Sequence, residues 1–94
     1  MNNNFKEYNE IAELLKVIAH PVRLCIINGL INKGKCNVGY MQNCLDIPQS
    51  TISTHLSKLR AYGIIEGERN GLEINYRVKD LRVIKIVNDL IISK

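Results

Sequence analysis

The spacing of the apolar residues changes from helical to alternating at about residue 64 and returns to helical at about residue 80. Before this change, apolar side chains recur every three or four positions, which is the period of one face of an α-helix. Between residues 64 and 78 they alternate with polar side chains on both sides of Asn70-Gly71, and this pair is the strongest short signal for a β-hairpin. The pattern therefore predicts a mainly α-helical fold with one small β-hairpin.

Prolines and glycines mark several boundaries of these elements. Pro21 suits the first turn of a helix, where its missing N–H group costs nothing, and Gly34 and Gly63 suit the position after a last turn. A chain of 94 residues has room for one domain, which we expect to span 1–94. We predict helices at about 7–19, 21–32, 38–45 and 49–62, a hairpin at about 64–78 and a C-terminal helix at about 80–92.

The Asn-Gly pair also predicts a register for the hairpin. A two-residue turn at Asn70 and Gly71 pairs Arg69 with Leu72 and sets Glu68 opposite Glu73. Two carboxylates in facing positions repel each other, which is a small cost. In this register one face of the hairpin carries Ile65, Leu72, Ile74 and Tyr76.

The region from about residue 38 to 62 has the order short helix, tight turn and second helix, which is the helix-turn-helix arrangement. The second helix of such a unit docks in the DNA major groove, and the hairpin that follows is a wing beside it. Hydroxyl, amide and basic side chains, together with the N–H groups of a helix start, bind phosphates and base edges. We predict DNA contacts from Gln49, Ser50, Thr51, Ser53, Thr54, His55, Lys58, Arg69, Asn70 and Arg77.

The first and last helices carry a broad apolar surface for so small a chain. A domain of this size buries only about two thirds of the surface that its unfolded chain exposes. The net charge of +4 is a mild excess that does not by itself indicate a nucleic-acid protein. A second copy of the chain would cover the apolar surface and double the charge.

Three stretches of the chain resemble the ArsR/SmtB family of small bacterial winged helix-turn-helix repressors. They are Leu15 to Leu24 followed by Ile26-Ile27, the helix-turn-helix stretch from Leu45 to Leu59, and the wing from Gly63 to Val78. The resemblance covers the chain from about residue 12 to its end. Two positions depart from the family pattern: Pro48 stands where a capping Ser is frequent, and Leu72 stands where a basic residue commonly follows the wing glycine.

The resemblance implies a homodimeric repressor that binds a palindromic operator in double-stranded DNA. In that family the first and last helices build the dimer interface. On this chain, such an interface would be formed by Ile11, Leu14, Leu15, Val83, Ile84, Val87, Leu90 and Ile91.

The metal sites of the family cannot be carried over to this chain. The resemblance places the Cys-x-Cys pair of one site on Asn37 and Gly39. For the site on the last helix, Asp80 is present but that helix has no histidine. Zinc requires about four nitrogen, sulfur or oxygen ligands that converge on one point. We therefore predict no metal site and no cofactor.

The three cysteines leave two interpretations open. Cys25 lies among apolar residues, and we expect it in the core. Cys36 lies near the start of the short helix, where N–H groups together with Lys33 and Lys35 would lower its pKa and make a thiolate that reacts with oxidants. In this interpretation Cys36 is a redox sensor and Cys25 or Cys44 resolves it. In the other interpretation all three thiols are structural or incidental.

Signals for other functional classes are missing from the sequence. It contains no P-loop, GxSxG, HExxH or dinucleotide-binding motif, so we expect no enzyme. No stretch approaches the roughly 20 apolar residues of a membrane span, and the start lacks the pattern of an export signal. We therefore expect a cytoplasmic protein without a membrane partner. The alternative to a DNA-binding regulator is a winged-helix module that binds another protein.

Overall fold

The computed structural model describes residues 5–91 and has the predicted order of elements. The helices and strands are α1 (Phe5–Ile18), α2 (Pro21–Lys33), α3 (Val38–Leu45), α4 (Gln49–Ala61), β1 (Ile65–Asn70), β2 (Glu73–Val78) and α5 (Leu81–Leu90). The strands form one antiparallel pair. Each boundary lies within two residues of its predicted position, and residue 92, the predicted end of the last helix, lies outside the described residues. This is a winged helix-turn-helix, as predicted.

Helix α2 is the centre of the packing. It contacts α1, α4, α5 and β2. The most deeply buried large side chains come from α2, α4, α5 and the start of the hairpin, and they are Ile27, Leu30, Ile52, Leu59, Ile64, Ile65, Val83 and Val87. The expectation that Cys25 belongs to this core is wrong, because its side chain lies on the exposed side of α2.

The hairpin register differs from the predicted one by two residues. Asn70 pairs with Glu73 and Gly67 with Tyr76, so the turn consists of Gly71 and Leu72. Gly71 has a φ of 68°, in the left-handed region that glycine enters without a steric cost. A glycine at the first central position is typical of the type II′ hairpin turn.

Two contacts explain why this register is preferred. The register removes the predicted repulsion of Glu68 and Glu73 and instead sets Glu66 opposite Arg77. The guanidinium Nη2 of Arg77 lies 2.6 Å from Oε2 of Glu66. A shift by two residues also keeps every strand side chain on its predicted face. The prediction was therefore wrong only for Leu72, which lies in the turn and is fully exposed.

No single helix among residues 5–91 is long and apolar enough to cross a bilayer. Helices α1 and α2 would reach that length and composition only as a pair, and an 89° bend separates them.

Candidate nucleic-acid interface

A tight turn of three residues, 46–48, joins α3 to α4. Asp46 ends α3 in the left-handed conformation with a φ of 55°, and its N–H group donates to the carbonyl of Gln42 at 2.9 Å. Met41 of α3 and Ile52 and Leu56 of α4 are buried in the common core. The angle between the two helices is thus held by packing as well as by the short connection.

Helix α4 has one buried face and one polar, exposed face. Ile52, Leu56 and Leu59 anchor it, each with no more than 2 % of the residue exposed. The outward face carries the predicted DNA contacts Gln49, Ser50, Thr51, Ser53, Thr54 and Lys58, and all of them are exposed. The Thr54 hydroxyl donates to the Ser50 carbonyl at 3.0 Å, which leaves its oxygen able to accept.

The start of α4 is open to an anionic ligand. Pro48 precedes the helix and makes no side-chain capping bond, and the first turn of α4 contains no acidic residue. The partial positive charge of a helix start favours anions such as phosphate. The departure at Pro48 therefore leaves N–H groups of the first turn without a side-chain cap.

His55 differs from the other predicted contacts of α4 because it faces α2. It is half-buried, its ring centroid lies 4.6 Å from that of His20, and its Nδ1 lies 3.2 Å from Nη1 of Arg23. Burial, and then the neighbouring charges of His20 and Arg23, lower the pKa of His55. A neutral His55 accepts the hydrogen bond from Arg23, so the ring ties α4 to the start of α2.

The charges of the wing are mostly paired within the chain. Arg77 is paired with Glu66, and Nζ of Lys35 lies 3.4 Å from Oε1 of Glu68. Arg69 is exposed near the tip of the hairpin and has no acidic partner among residues 5–91. Beside it, Asn70 and Leu72 are exposed as well. Of the two predicted wing arginines, Arg69 is therefore the one whose charge is not neutralised locally.

Comparisons with known proteins decide the family. The model of the family described as "Bacterial regulatory protein, arsR family" matches residues 20–66. The transcriptional repressor PagR of Bacillus anthracis is 43% identical over 82 residues, which are 84% of this chain and 82% of PagR. The chain belongs to the ArsR family.

Further similarities support this assignment. The biofilm growth-associated repressor of Xylella fastidiosa is 40% identical to this ArsR-family chain over 85 residues, 90% of this chain and 74% of that repressor. The crystal structure of PagR superposes with a TM-score of 0.85 at 39% identity, and covers 94% of this chain and 100% of that one. The resemblance seen in the sequence motifs is confirmed, and the chain is a winged-helix transcriptional regulator.

The predicted dimer-interface residues of this ArsR-family chain fall into two groups. Leu14, Val83 and Val87 are buried in the core of their own chain, so they are not available to a partner, which corrects the prediction for these three. The other five lie at the surface, with Ile11, Leu15 and Leu90 exposed and Ile84 and Ile91 half-buried.

Sequence reasoning missed three exposed apolar residues on the same two helices: Phe5, Tyr8 and Leu81. Phe5 and Tyr8 were overlooked because we expected α1 to begin at residue 7, whereas it begins at Phe5. Their spacing of three residues, continued by Ile11 three residues further on, was the available signal.

Cys36 has the opposite electrostatic character to the predicted one. It is buried, and it is bonded to β2 through two backbone hydrogen bonds with Tyr76, of 3.1 and 2.8 Å. Burial raises the pKa of the Cys36 thiol, against the lowering effect of Lys33, and Cys44 raises it further. The expected thiolate was wrong because removal from water outweighs the nearby ammonium group. Within the described part of the chain, no cluster of His, Cys, Asp or Glu side chains converges as a metal site would require.

Proposed function

We propose that this chain is a homodimeric repressor that binds a palindromic operator in double-stranded DNA. Helix α4 would enter the major groove, and the tip of the hairpin would lie on the flanking backbone or minor groove. The observation that carries the proposal is the division of α4 into a deeply anchored face and an exposed face rich in hydroxyl and amide groups. The names of the relatives, which are repressors, support the same function.

Different residues would have different tasks at the operator. Gln49 and Ser53 lie within the first two turns of α4, where an amide and a hydroxyl can bond to base edges. Arg69, with its unpaired charge at the wing, would bind phosphates without regard to sequence. Ser50, Thr51, Thr54, Lys58 and Asn70 are exposed on the same two elements and would add backbone or base contacts. His55 and Arg77 would contribute less, because each already has a partner within the chain.

The dimer would form through the exposed apolar residues of α1 and α5. Ile11, Leu15 and Leu90 leave large apolar side chains in water, and Ile84 and Ile91 are half-buried beside them. Pairing of two copies across these helices would bring two α4 helices to a separation of about 34–36 Å, one turn of DNA. The operator would then repeat its half-site with the two-fold symmetry of the protein. A repressor of this kind acts on the chromosome, and so we place it in the cytoplasm.

Selection from random double-stranded DNA tests the proposal. The expected result is enrichment of an inverted repeat whose half-site centres are 10–10.5 base pairs apart. Sedimentation should show two protein chains on each duplex, and affinity should fall steeply as salt rises, because bound phosphates release counterions. Failure to enrich any sequence, together with weak binding at low salt, would instead favour a module that binds another protein.

A further inference from the structure

An apolar cavity of about 320 Å³ lies between α2 and α3. It is at the small end of the roughly 300–1,000 Å³ range of small-molecule sites, which are apolar with a few polar groups. Its walls include the side chains of Ile26, Leu30, Met41 and Leu45. The thiols of Cys25, Cys36 and Cys44 face the same space. The cavity lies apart from the exposed face of α4.

The charge at this cavity has one sign. Lys33 is the only charged residue among those that line it. Its ammonium nitrogen lies 4.9 Å from the ring centroid of Tyr40, and both residues are exposed, which places them at the rim. The lowering effect of Lys33 on the pKa of Cys36 shows that its field reaches the interior of the cavity. Such a setting favours an anionic group on any occupant.

Gly29 of α2 also lines the cavity. A glycine inside a helix is destabilising by roughly 0.5–1 kcal/mol relative to alanine. A Cβ atom at Gly29 would meet nothing within 4 Å, so no contact within the chain excludes a side chain there. The glycine therefore leaves space in the cavity at a cost to the helix, and a larger side chain at this position would fill it.

We propose that this cavity binds a small amphipathic organic anion, with its apolar part against Leu30 and Met41 and its carboxylate at the ammonium group of Lys33. The cavity is shared between α2 and α3, and α3 packs on α4. An occupant that separates α3 from α2 would also displace α4. The ligand would then be an effector that weakens operator binding, a consequence that rests on the proposed function.

The binding test uses octanoate as the probe, with 1-octanol and octylamine as neutral and cationic analogues of similar shape. Titration of the full chain, followed by amide NMR shifts, should show octanoate at residues 25–33 and 36–45. We expect binding at least about threefold tighter than that of octanol, the size of an exposed charge pair, and weaker binding of octylamine. Equal binding of the three probes, or shifts confined to the exposed faces of α1 and α5, would overturn the site.

Two pairs of variants locate the ligand. Gly29→Leu should abolish octanoate binding by filling the cavity, whereas Gly29→Ala should keep most of the space and raise the melting temperature. Lys33→Gln should remove the preference for octanoate over octanol. Lys35→Gln is its matched control, because Lys35 pairs with Glu68 and does not line the cavity. Unchanged octanoate binding in a folded Gly29→Leu protein, or an equal loss in both lysine variants, would contradict the proposal.

Operator binding separates the site from its consequence. Saturating octanoate should raise the Kd of the selected operator several-fold in the wild type and leave it unchanged in Gly29→Leu. Octanoate that binds at residues 25–33 and 36–45 without any change in operator Kd would establish the cavity and overturn the effector role. If no operator is found at all, the titration with octanoate still decides the site.

Discussion

The recognition helix α4 and the hairpin carry the two halves of the proposed DNA interface, yet they are built in opposite ways. Helix α4 is anchored by three side chains in the core and presents uncharged polar groups to the outside. The hairpin holds to the core near its base, through Ile65 and Tyr76, and its tip is exposed. A rigid helix with directional hydrogen-bonding groups is suited to distinguishing bases, whereas an exposed tip with one unpaired arginine is suited to holding phosphate.

The two elements also differ in their internal electrostatics. Charges on the hairpin are paired along and across its strands, as in the Arg77–Glu66 pair. The exposed face of α4 needs no such neutralisation, because its first two turns carry hydroxyl and amide groups. Sequence preference and general affinity should therefore be separable by mutation.

The largest expected effect breaks the anchoring of α4. Ile52→Ala removes a fully buried side chain and should lower the free energy of unfolding by about 2–5 kcal/mol. Leu72→Ala truncates an apolar side chain of similar size at the hairpin tip, where it is fully exposed, and should change it by less than about 0.5 kcal/mol. Urea denaturation measures both. Similar losses in the two variants would show that the tip is packed rather than free.

The second effect separates base recognition from phosphate binding. Gln49→Ala and Ser53→Ala should each reduce discrimination at the bases they contact by about 1–3 kcal/mol. Arg69→Ala should weaken binding to all sequences alike and reduce the salt slope by about 1. Titrations of the selected operator and of scrambled duplexes at several salt concentrations measure these changes. A uniform loss from all three substitutions would contradict the proposed division.

The third effect uses the thiols as reporters on the two elements. Cys36 is buried and bonded to β2, whereas Cys44 lies exposed on α3 beside the recognition helix. Burial and the raised pKa both make Cys36 a poor nucleophile, so iodoacetamide at pH 8 should alkylate Cys44 at least about tenfold faster. Mass spectrometry of the digested protein measures the two rates. If Cys36 reacts first, the original expectation of a reactive thiolate at that position is restored.

Local signals account for what sequence reasoning could predict. The bounds of α3 were predicted correctly because Asn37 caps its first turn, with its Oδ1 accepting from Tyr40 N–H at 2.7 Å. The exposed polar face of α4 followed from helical spacing, which positions side chains without any knowledge of the rest of the fold.

Contacts between distant residues account for what could not be predicted. The Asn-Gly signal located the hairpin, but the register also depended on the pairing of Glu66 with Arg77 across the two strands. The burial of Cys36 arises from its hydrogen bonds with Tyr76, which is remote in sequence. The orientation of His55 toward α2 likewise depends on the approach of two helices, and no local pattern carried that information.

The fourth effect concerns the tie between α4 and α2. The pKa of His55 is lowered in the folded chain, so at slightly acidic pH the unfolded chain binds a proton more readily. Stability should therefore be highest above pH 6.5 and should fall as the pH drops below that value through the folded pKa. His55→Gln should flatten this part of the profile, and Ser57→Gln, on the exposed side of α4, should keep it. An identical profile for His55→Gln and the wild type, measured by urea denaturation, would assign the pH dependence to another group.

The smallest effect sharpens the electrostatic contrast between helix and hairpin. Glu66→Gln would release Arg77 from its ion pair and should tighten operator binding by about two- to fivefold, the size of an exposed pair. Glu73→Gln removes the same charge from the hairpin without releasing an arginine, since the carboxylate of Glu73 accepts from the amide of Asn37. Fluorescence titration at fixed salt compares the two variants. A larger gain for Glu66→Gln means that pairing limits the hairpin, whereas equal gains mean that only its net charge matters.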